Sequence, residues 1–503
     1  LELILSKNPL PETVCRVCHR PCETACVREG VDQPVAINDL KRFVLQWANE
    51  QPAADLPSAP TPAEENGLSV AVVGAGPSGL AASHELRLRG YEVTLLDREE
   101  EPGGLLLTGI PEFRLPREAL RRDIRRVLAL GVTFRGGVTL GEDVTLPELL
   151  AKHDAIYLAT GASRGVPLKL EAAPSSAPGE GPQVVDALTY LREVNLELSV
   201  ETGRRVAVVG GGNAAIDAAR TARRRGARQV TIVYRRRREE MPAIAHEIQA
   251  AEAEGIVVRT QLAPAALETG GLACIKTRPG EPDASGRCWP EPVQGSEAVV
   301  PADQIILAIG QLPEEISLEA EGRALDLEKD GCIHVSPSTG RTSHPRVFAG
   351  GDVVWGERTV TWAMGAGQRA AWAVDRELRG EAAAAQRTPP PRPDLHAERL
   401  AVASFPLVQR LHPAELSPEA RVTSTAEVAG AFTEADARAE ARRCLSCGMC
   451  GNCRSCINLF GCPAFFVEDG RVNIDPALCN GCGVCAYICP NQAIGPAPSS
   501  EPK

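Results

Sequence analysis

The stretch "VVGAGPSGLAA", residues 72–82, decides the fold. Two valines run into glycines at 74, 76 and 79, and small helix-forming residues follow. Glycines at this spacing permit a tight turn and bring backbone N–H groups close to a pyrophosphate, while the next helix N-terminus favours the anion. The motif alone is weak, because a chance glycine turn has the same letters. Its surroundings strengthen it. "LSVAVVGA" (68–75) reads as a strand, "LAASHELRLRG" (80–90) as a helix and "YEVTLLD" (91–97) as a second strand. Asp97 ends that strand, where an acid binds ribose hydroxyls. Gly74, Gly76, Gly79 and Asp97 are therefore expected to contact a dinucleotide.

The pattern recurs at 205–217, "RVAVVGGGNAAID", followed by "QVTIVYRRRR" (229–238) as the next strand. Gly210, Gly212, Asn213 and Ala215 form the second turn. No acid ends its second strand. Arg235, Arg236, Arg237 and Arg238 stand there instead, and arginine at this place accommodates a 2′-phosphate, which favours NADPH over NADH. Glu239 and Glu240 could pair with these arginines and weaken that preference. A solvated basic face is the bland alternative.

The chain has 503 residues, 44% hydrophobic and 24% charged, with a formal charge of −11. This length suggests about three or four domains with a sizeable core. The negative charge argues against a nucleic-acid partner. No apolar run of membrane-spanning length and no signal peptide are seen, so a cytoplasmic protein is expected. The chain opens on Leu1, so a processed or incomplete start is expected. Of 17 cysteines, four lie at Cys15, Cys18, Cys22 and Cys26, and ten lie between Cys444 and Cys489. Disulfide scaffolds are usually short secreted chains, so tight CxxC spacing here points to metal ligation. Cys274, Cys288 and Cys332 stand alone and read as small hydrophobes.

Further motifs occur in order: "GGLLLTGIPEFRLP" (103–116), "YLATGA" (157–162), "GGGNAAID", "VYRRRREEMPA", "IILAIGQ" (305–311) and "FAGGDVVWGERTVTWAMGAGQRAA" (348–371). Together they resemble the small-subunit family of NADPH-dependent glutamate synthase, over roughly residues 10–375. The same module resembles parts of NADH-dependent ferredoxin:NADP oxidoreductases and dihydropyrimidine dehydrogenase. The resemblance implies FAD in the first unit and NAD(P)H in the second. It further implies flavin contacts at Gly104 and Leu105, at Thr160 and Gly161, at Gly351 and Asp352, and at Thr359, Ala363 and Gly367. It also implies an N-terminal helical iron–sulfur domain, with Cys18, Cys22 and Cys26 on the family's pattern and Cys15 departing from it.

"CNGCGVCAYICP" places Cys479, Cys482, Cys485, Cys489 and Pro490 in the bacterial ferredoxin spacing, whose fourth cysteine serves the other cluster. Upstream, Cys450, Cys453 and Cys456 form a CxxCxxC triplet, and Cys462-Pro463 supplies the distal thiol. One cluster is expected on Cys450, Cys453, Cys456 and Cys489, the other on Cys479, Cys482, Cys485 and Cys462. Together with the N-terminal site, about three 4Fe–4S clusters follow. Cys444 and Cys447 are left over. They either form a small site or stay spare, or complete the N-terminal cluster, or belong to a slipped triplet of Cys447, Cys450 and Cys453. The segment "GCPAFFVEDGRVNIDPALCNGCGVC" also resembles the ferredoxin part of 2-oxoacid:ferredoxin oxidoreductases.

The expected fold is α/β: two Rossmann-like, glutathione-reductase-type domains, an N-terminal helical iron–sulfur domain and a C-terminal α+β ferredoxin-like domain. The expected divisions are 1–50 (iron–sulfur), 51–67 (linker), 68–182 (FAD, first part), 183–300 (NAD(P)), 301–393 (FAD, second part), 394–443 (connector) and 444–497 (ferredoxin-like). A nicotinamide gives a hydride and a 4Fe–4S cluster takes single electrons, so FAD stands between them. The chain is expected to be an NAD(P)H oxidoreductase subunit serving a redox partner, such as a 2-oxoacid oxidoreductase, or a soluble ferredoxin. No catalytic acid–base pair is required. A self-contained enzyme with its own organic substrate, and an electron wire with vestigial nucleotide sites, are the alternatives.

Overall fold

The computed structural model describes residues 1–52, 60–168, 170, 181–282, 288–320, 322–380, 406–445, 454–458, 461–468, 471–489 and 493–494. Two compact units divide the chain: Leu1–Cys18, Ala53–Ala382 and Glu415–Gly430 form the first, and His19–Pro52, Ala383–Ala414 and Ala431–Lys503 the second.

In the first unit, "SVAVV" is buried at four of its five positions, as a strand covered on both faces must be. It lies at the centre of a parallel sheet ordered Val347–Ala349, Ala155–Leu158, Ser69–Val73, Glu92–Leu96, Thr133–Arg135. Alternate residues feed opposite faces. Val70 and Val72 join a core with Leu80, Leu95 and Leu106, while Ala71 and Val73 join another with Leu96, Ile156 and Leu158. A second parallel sheet, ordered Gln183–Asp186, Gln304–Leu307, Arg205–Val209, Gln229–Val233, Val257–Arg259, lies in the chain between the fourth and fifth strands of the first. An antiparallel insertion follows its edge strand: Leu262–Glu268, Gly271–Pro282 and Cys288–Pro292, with Ala298–Pro301 also on Gly271–Pro282. The arginine run was read as strand, but the strand ends at Val233, and Arg238–Glu240 is a short turn of 3-10 helix.

Helix Pro11–Val17 is capped from another element. Asp123 of helix Arg117–Leu128 accepts Thr13 N at 2.7 Å and Glu12 N at 3.3 Å, filling donors that a helix start leaves open. Leu10 and Val14 sit in the same core as Val70 and Leu120.

In the second unit, helix Ile37–Asn49 and the approach to helix Glu434–Ala441 share a small core of Ala36, Phe432 and Ala437, with Leu40, Phe43 and Leu411 against it. Glu440, fully buried, accepts Ala36 N and Leu411 N and pairs with Arg443 at 2.6 Å. Arg443 also reaches Asp32 at 2.9 Å. The tail shows an antiparallel pair, Phe465–Glu468 with Arg471–Ile474, and short helices Ser455–Asn458 and Val484–Ile488. Among the described residues no helix is long and apolar enough to cross a membrane.

Candidate functional site

The first turn is closed by backbone. Gly74 takes φ +106, and a Cβ there would lie 2.2 Å from the Ala159 carbonyl oxygen. A Cβ on Gly79 would lie 1.8 Å from the Gly74 oxygen, so helix Pro77–Leu88 begins tight against the strand end. Gly76 ends the turn as that helix's N-cap. Asp97 holds this turn from the neighbouring strand. Its Oδ2 accepts Ala75 N at 2.6 Å and its Oδ1 accepts Glu99 N at 2.8 Å, while burial pushes its carboxyl pKa up. The sequence reading assigned Asp97 to a sugar alone. It is a turn anchor as well, and each oxygen retains a lone pair for a hydroxyl.

Distant stretches converge on this turn. Gly103 N donates to Ala75 O at 2.9 Å, which brings Gly104 and Leu105 alongside, with Gly104 close against Gly76. Gly350 N donates to Leu158 O at 3.0 Å, setting Gly351 and Asp352 beside the strand that runs into Thr160 and Gly161. Ser78 Oγ and Tyr157 Oη are 2.7 Å apart, a contact absent from the sequence reading. Thr359 caps helix Val360–Leu378 by accepting Trp362 N at 3.2 Å. That helix buries Ala363 and crosses Pro77–Leu88 at Gly367, whose Cβ would meet Ser78 O at 2.1 Å. Asp352 Oδ1 is buried with no hydrogen-bond partner among the described residues, and burial pushes its carboxyl up to about 6. An orphaned buried oxygen beside an open-backbone turn suits a hydroxyl-rich ligand chain such as ribityl.

The second turn repeats the device. Gly210 takes φ +146, its Cβ would lie 2.2 Å from Ala308 O, and its N–H donates to Val233 O at 3.0 Å. Gly212 precedes helix Asn213–Arg224, in which Ala215 is fully buried. Asn213 Oδ1 accepts Ile244 N at 3.0 Å, and Ala243 N donates to Gly211 O at 3.1 Å, so "MPA" lies over the turn. The four arginines separate by partner. Arg237 pairs with Glu240 at 3.0 Å and Arg238 with Glu252. Arg236 Nε donates to Cys288 O at 3.1 Å, and the Arg235 guanidinium stands 5.8 Å from the Trp289 ring centre.

Both turns lie in the first unit, joined by a contact the sequence did not announce. Phe113 and Arg114 enter the second nucleotide half: Arg114 pairs with Asp217 at 2.6 Å and Glu247 at 3.3 Å. The Phe113 ring lies under Arg224 at 3.8 Å and Arg220 at 4.9 Å.

Of the clustered thiols, Cys15 is buried on helix Pro11–Val17 and Cys18 is half-buried against the first core. Cys26 is half-buried in the second unit, where Cys22 and Cys444 are exposed. Cys456 is buried, Cys462, Cys485 and Cys489 are half-buried, and Cys479 and Cys482 are exposed. Cys447, Cys450 and Cys453 lie outside the described residues. Among the described residues no three His, Cys, Asp or Glu side chains are grouped to hold a metal ion. The fit to iron–sulfur therefore rests on the donor set, thiolates in ferredoxin spacing. The lone cysteines behave differently: burial pushes Cys274 up to about 12 and Cys332 up to about 11, so both stay protonated and inert.

Two glycine-turn sheets, one inserted in the other, define a pyridine-nucleotide flavoprotein, and the family comparison agrees. Residues 68–370 match the pyridine nucleotide-disulphide oxidoreductase family, 1–53 the dihydropyrimidine dehydrogenase domain II 4Fe-4S cluster family, and 471–494 a 4Fe-4S binding domain. The chain is 40% identical over 481 residues to the NADP(+)-dependent formate dehydrogenase subunit beta of Moorella thermoacetica, covering 89% of this chain and 66% of that relative. It is 36% identical to the NADPH-Fe(3+) oxidoreductase subunit beta of Geobacter sulfurreducens (89% and 71%). It is also 36% identical to the glutamate synthase [NADPH] small chain of Azospirillum brasilense (76% and 82%). FprA of Mycobacterium tuberculosis in complex with NADPH shares the fold at TM-score 0.51 and 18% identity, over 62% of this chain and 85% of that one. The chain belongs to the glutamate synthase small-chain-like branch of the pyridine nucleotide-disulphide oxidoreductase family. It is an NAD(P)H oxidoreductase whose cofactors are FAD, a nicotinamide nucleotide and 4Fe–4S clusters.

Proposed function

We propose that this chain is the electron-entry subunit of a larger redox enzyme, exchanging electrons between NADPH and a partner subunit through its iron–sulfur clusters. One observation carries the reading: the same chain holds two backbone-closed dinucleotide turns and a ferredoxin-spaced tail. Relatives matched over 89% of this chain are named as beta subunits, whereas the glutamate synthase small chain is matched over 76%. FAD, when bound, converts a hydride into single electrons.

The residues divide that task. Gly74, whose N–H donates to Leu96 O at 2.7 Å, and Ala75, held by Asp97, shape the turn, so that the helix start from Gly76 to Gly79 offers its backbone N–H groups to the flavin dinucleotide's pyrophosphate. Gly104, Leu105, Thr160, Gly161, Gly351, Asp352, Thr359 and Ala363 line the rest of that cofactor. Gly210, Gly212, Asn213 and Ala215 shape the nicotinamide nucleotide's turn, and Arg235 and Arg236 take its 2′-phosphate. Arg237 and Arg238 do not, because Glu240 and Glu252 neutralise them. Cys15, Cys18, Cys22 and Cys26 serve the N-terminal cluster, and the cysteines from Cys450 to Cys489 serve two more. Cys444 and Cys447 keep no assigned cluster. The partner is a catalytic redox subunit; a 2-oxoacid oxidoreductase or a soluble ferredoxin fits the same outlet. A reducing, cytoplasmic setting suits so many thiolates.

The test is anaerobic titration of the purified protein with NADPH and with NADH, following flavin absorbance, cluster EPR and iron content. Bleaching at lower NADPH than NADH, followed by cluster signals, is expected. Flavin that neither nucleotide bleaches would falsify the reading.

A further inference from the structure

Trp289 is 61% exposed, although large aromatic side chains usually bury most of their surface. It stands on Cys288–Pro292, the outer strand of the antiparallel insertion. That strand is not free to wander. It pairs with Gly271–Pro282 through Thr277↔Pro292 and Pro279↔Pro290. The insertion is stitched to the arginine run: Thr277 Oγ1 donates to Arg235 O at 2.7 Å, Gln261 N to Arg236 O at 2.9 Å, and Arg236 Nε to Cys288 O at 3.1 Å. These bonds fix Trp289 just beyond the carboxyl ends of Gln229–Val233 and Val257–Arg259. Open α/β sheets bind their ligands at that edge.

We propose that Trp289 is a ligand-binding residue of the second nucleotide site: an aromatic platform on which the adenine of NAD(P)H stacks. This rests on the second turn being the nicotinamide-nucleotide site. With the pyrophosphate at Gly210–Gly212 and the 2′-phosphate at Arg235 and Arg236, the adenine lies outermost, toward the exposed indole of Trp289. A purine is flat and polarisable, and Arg235 beside the ring adds a cation to the same stack. Base-on-aromatic stacking is indifferent to the 2′ position. Trp289 therefore sets grip on the dinucleotide as such, and the arginines set the choice of NADPH over NADH. The insertion thereby gains a function beyond covering one face of the second sheet.

The experiment uses the full-length holoprotein and anaerobic stopped-flow bleaching of the flavin. The reductants are NADPH, NADH and reduced nicotinamide mononucleotide, which lacks adenosine. Trp289→Ala is expected to raise the half-saturating concentration of NADPH and of NADH about tenfold each. The limiting bleaching rate and the response to the mononucleotide stay unchanged, and Trp289→Phe restores most of the affinity. Half-saturation within twofold of wild type for both dinucleotides overturns the proposal, as does an equal loss with the mononucleotide. If wild-type flavin is bleached by none of the three, the reading of the second site falls instead, before the variants are compared.

Discussion

At the scale of single residues, the two turns make opposite demands on one substitution. Gly74 and Gly210 each adopt a left-handed backbone, and each faces a carbonyl oxygen that a Cβ would reach at 2.2 Å. Gly74→Ala is expected to give protein with little bound flavin. Gly210→Ala should keep its flavin and lose bleaching by NADPH at least tenfold in affinity. Flavin-to-protein absorbance ratios and anaerobic titration separate the two, and loss of flavin in Gly210→Ala would count against the assignment. Asp352 yields a pH prediction. Its carboxyl is pushed up to about 6 from an ordinary 3.8, so the folded apoprotein binds this proton more tightly than the unfolded chain. The stability it contributes is fullest below about pH 4 and declines as pH rises to about 6. Asp352→Asn removes that decline. Melting temperatures of flavin-free protein across pH 4 to 7 should be flatter in the variant; parallel curves would mean Asp352 titrates normally. Gly74 and Gly210 were legible as turn positions because turn geometry is a local matter of glycine spacing, whereas Asp352 was offered only by the family resemblance. Glu240, which the sequence offers as a partner, takes Arg237, but the Arg238 pair was not legible: Glu252 lies on another helix and carries no mark of its target.

Between elements, the stretch Phe113–Arg114 does what its motif does not disclose. It belongs to the chain around the first turn yet ends inside a charged nest on the second half, where Asp217, Glu247, Arg220, Glu254 and Arg224 interlock. Breaking a buried pair strands the other charge. Arg114→Met should therefore cost about 3–5 kcal/mol in urea unfolding. Adding Asp217→Asn should return part of that, since the stranded carboxylate goes too. Strictly additive losses would show that the two residues are uncoupled. Sequence periodicity finds helices and strands but not which helix an arginine will enter, so this joint appeared only in three dimensions. The same holds for Glu415–Gly430, expected as a mere connector. Glu427 pairs with Arg16 at 2.8 Å, Val428 N donates to Phe113 O at 3.0 Å and Glu415 meets His246 at 3.2 Å, so the segment belongs with the nucleotide halves.

For the whole molecule, the candidate nucleotide contacts and the ferredoxin-spaced tail fall in different units of the chain. Every nucleotide-contact candidate lies in the first unit, while the ferredoxin-spaced cysteines and the buried Glu440–Arg443–Asp32 network lie in the second. Cysteine spacing revealed the clusters from sequence because a cluster dictates its ligands' separation along the chain. It did not reveal that "EADARAEARR" is held to the N-terminal piece through Glu440 and Ala36, since neither residue type signals a distant partner. The tail clusters and the nucleotide turns, which lie in different units, should be separable. Cys482→Ser with Cys485→Ser removes two thiolates from one tail cluster, whose other ligands cannot hold it alone. Iron content should fall by about four per chain, and cluster EPR should lose the matching intensity. Flavin content, bleaching by NADPH and NADPH-driven reduction of ferricyanide, a small acceptor that draws on the flavin directly, should stay near wild type. Transfer to the partner should drop at least a hundredfold, because the outlet is broken downstream of an intact entry. If flavin bleaching were lost along with the iron, entry and outlet would be one cooperative structure, and the assignment of separate tasks to the two units would fail.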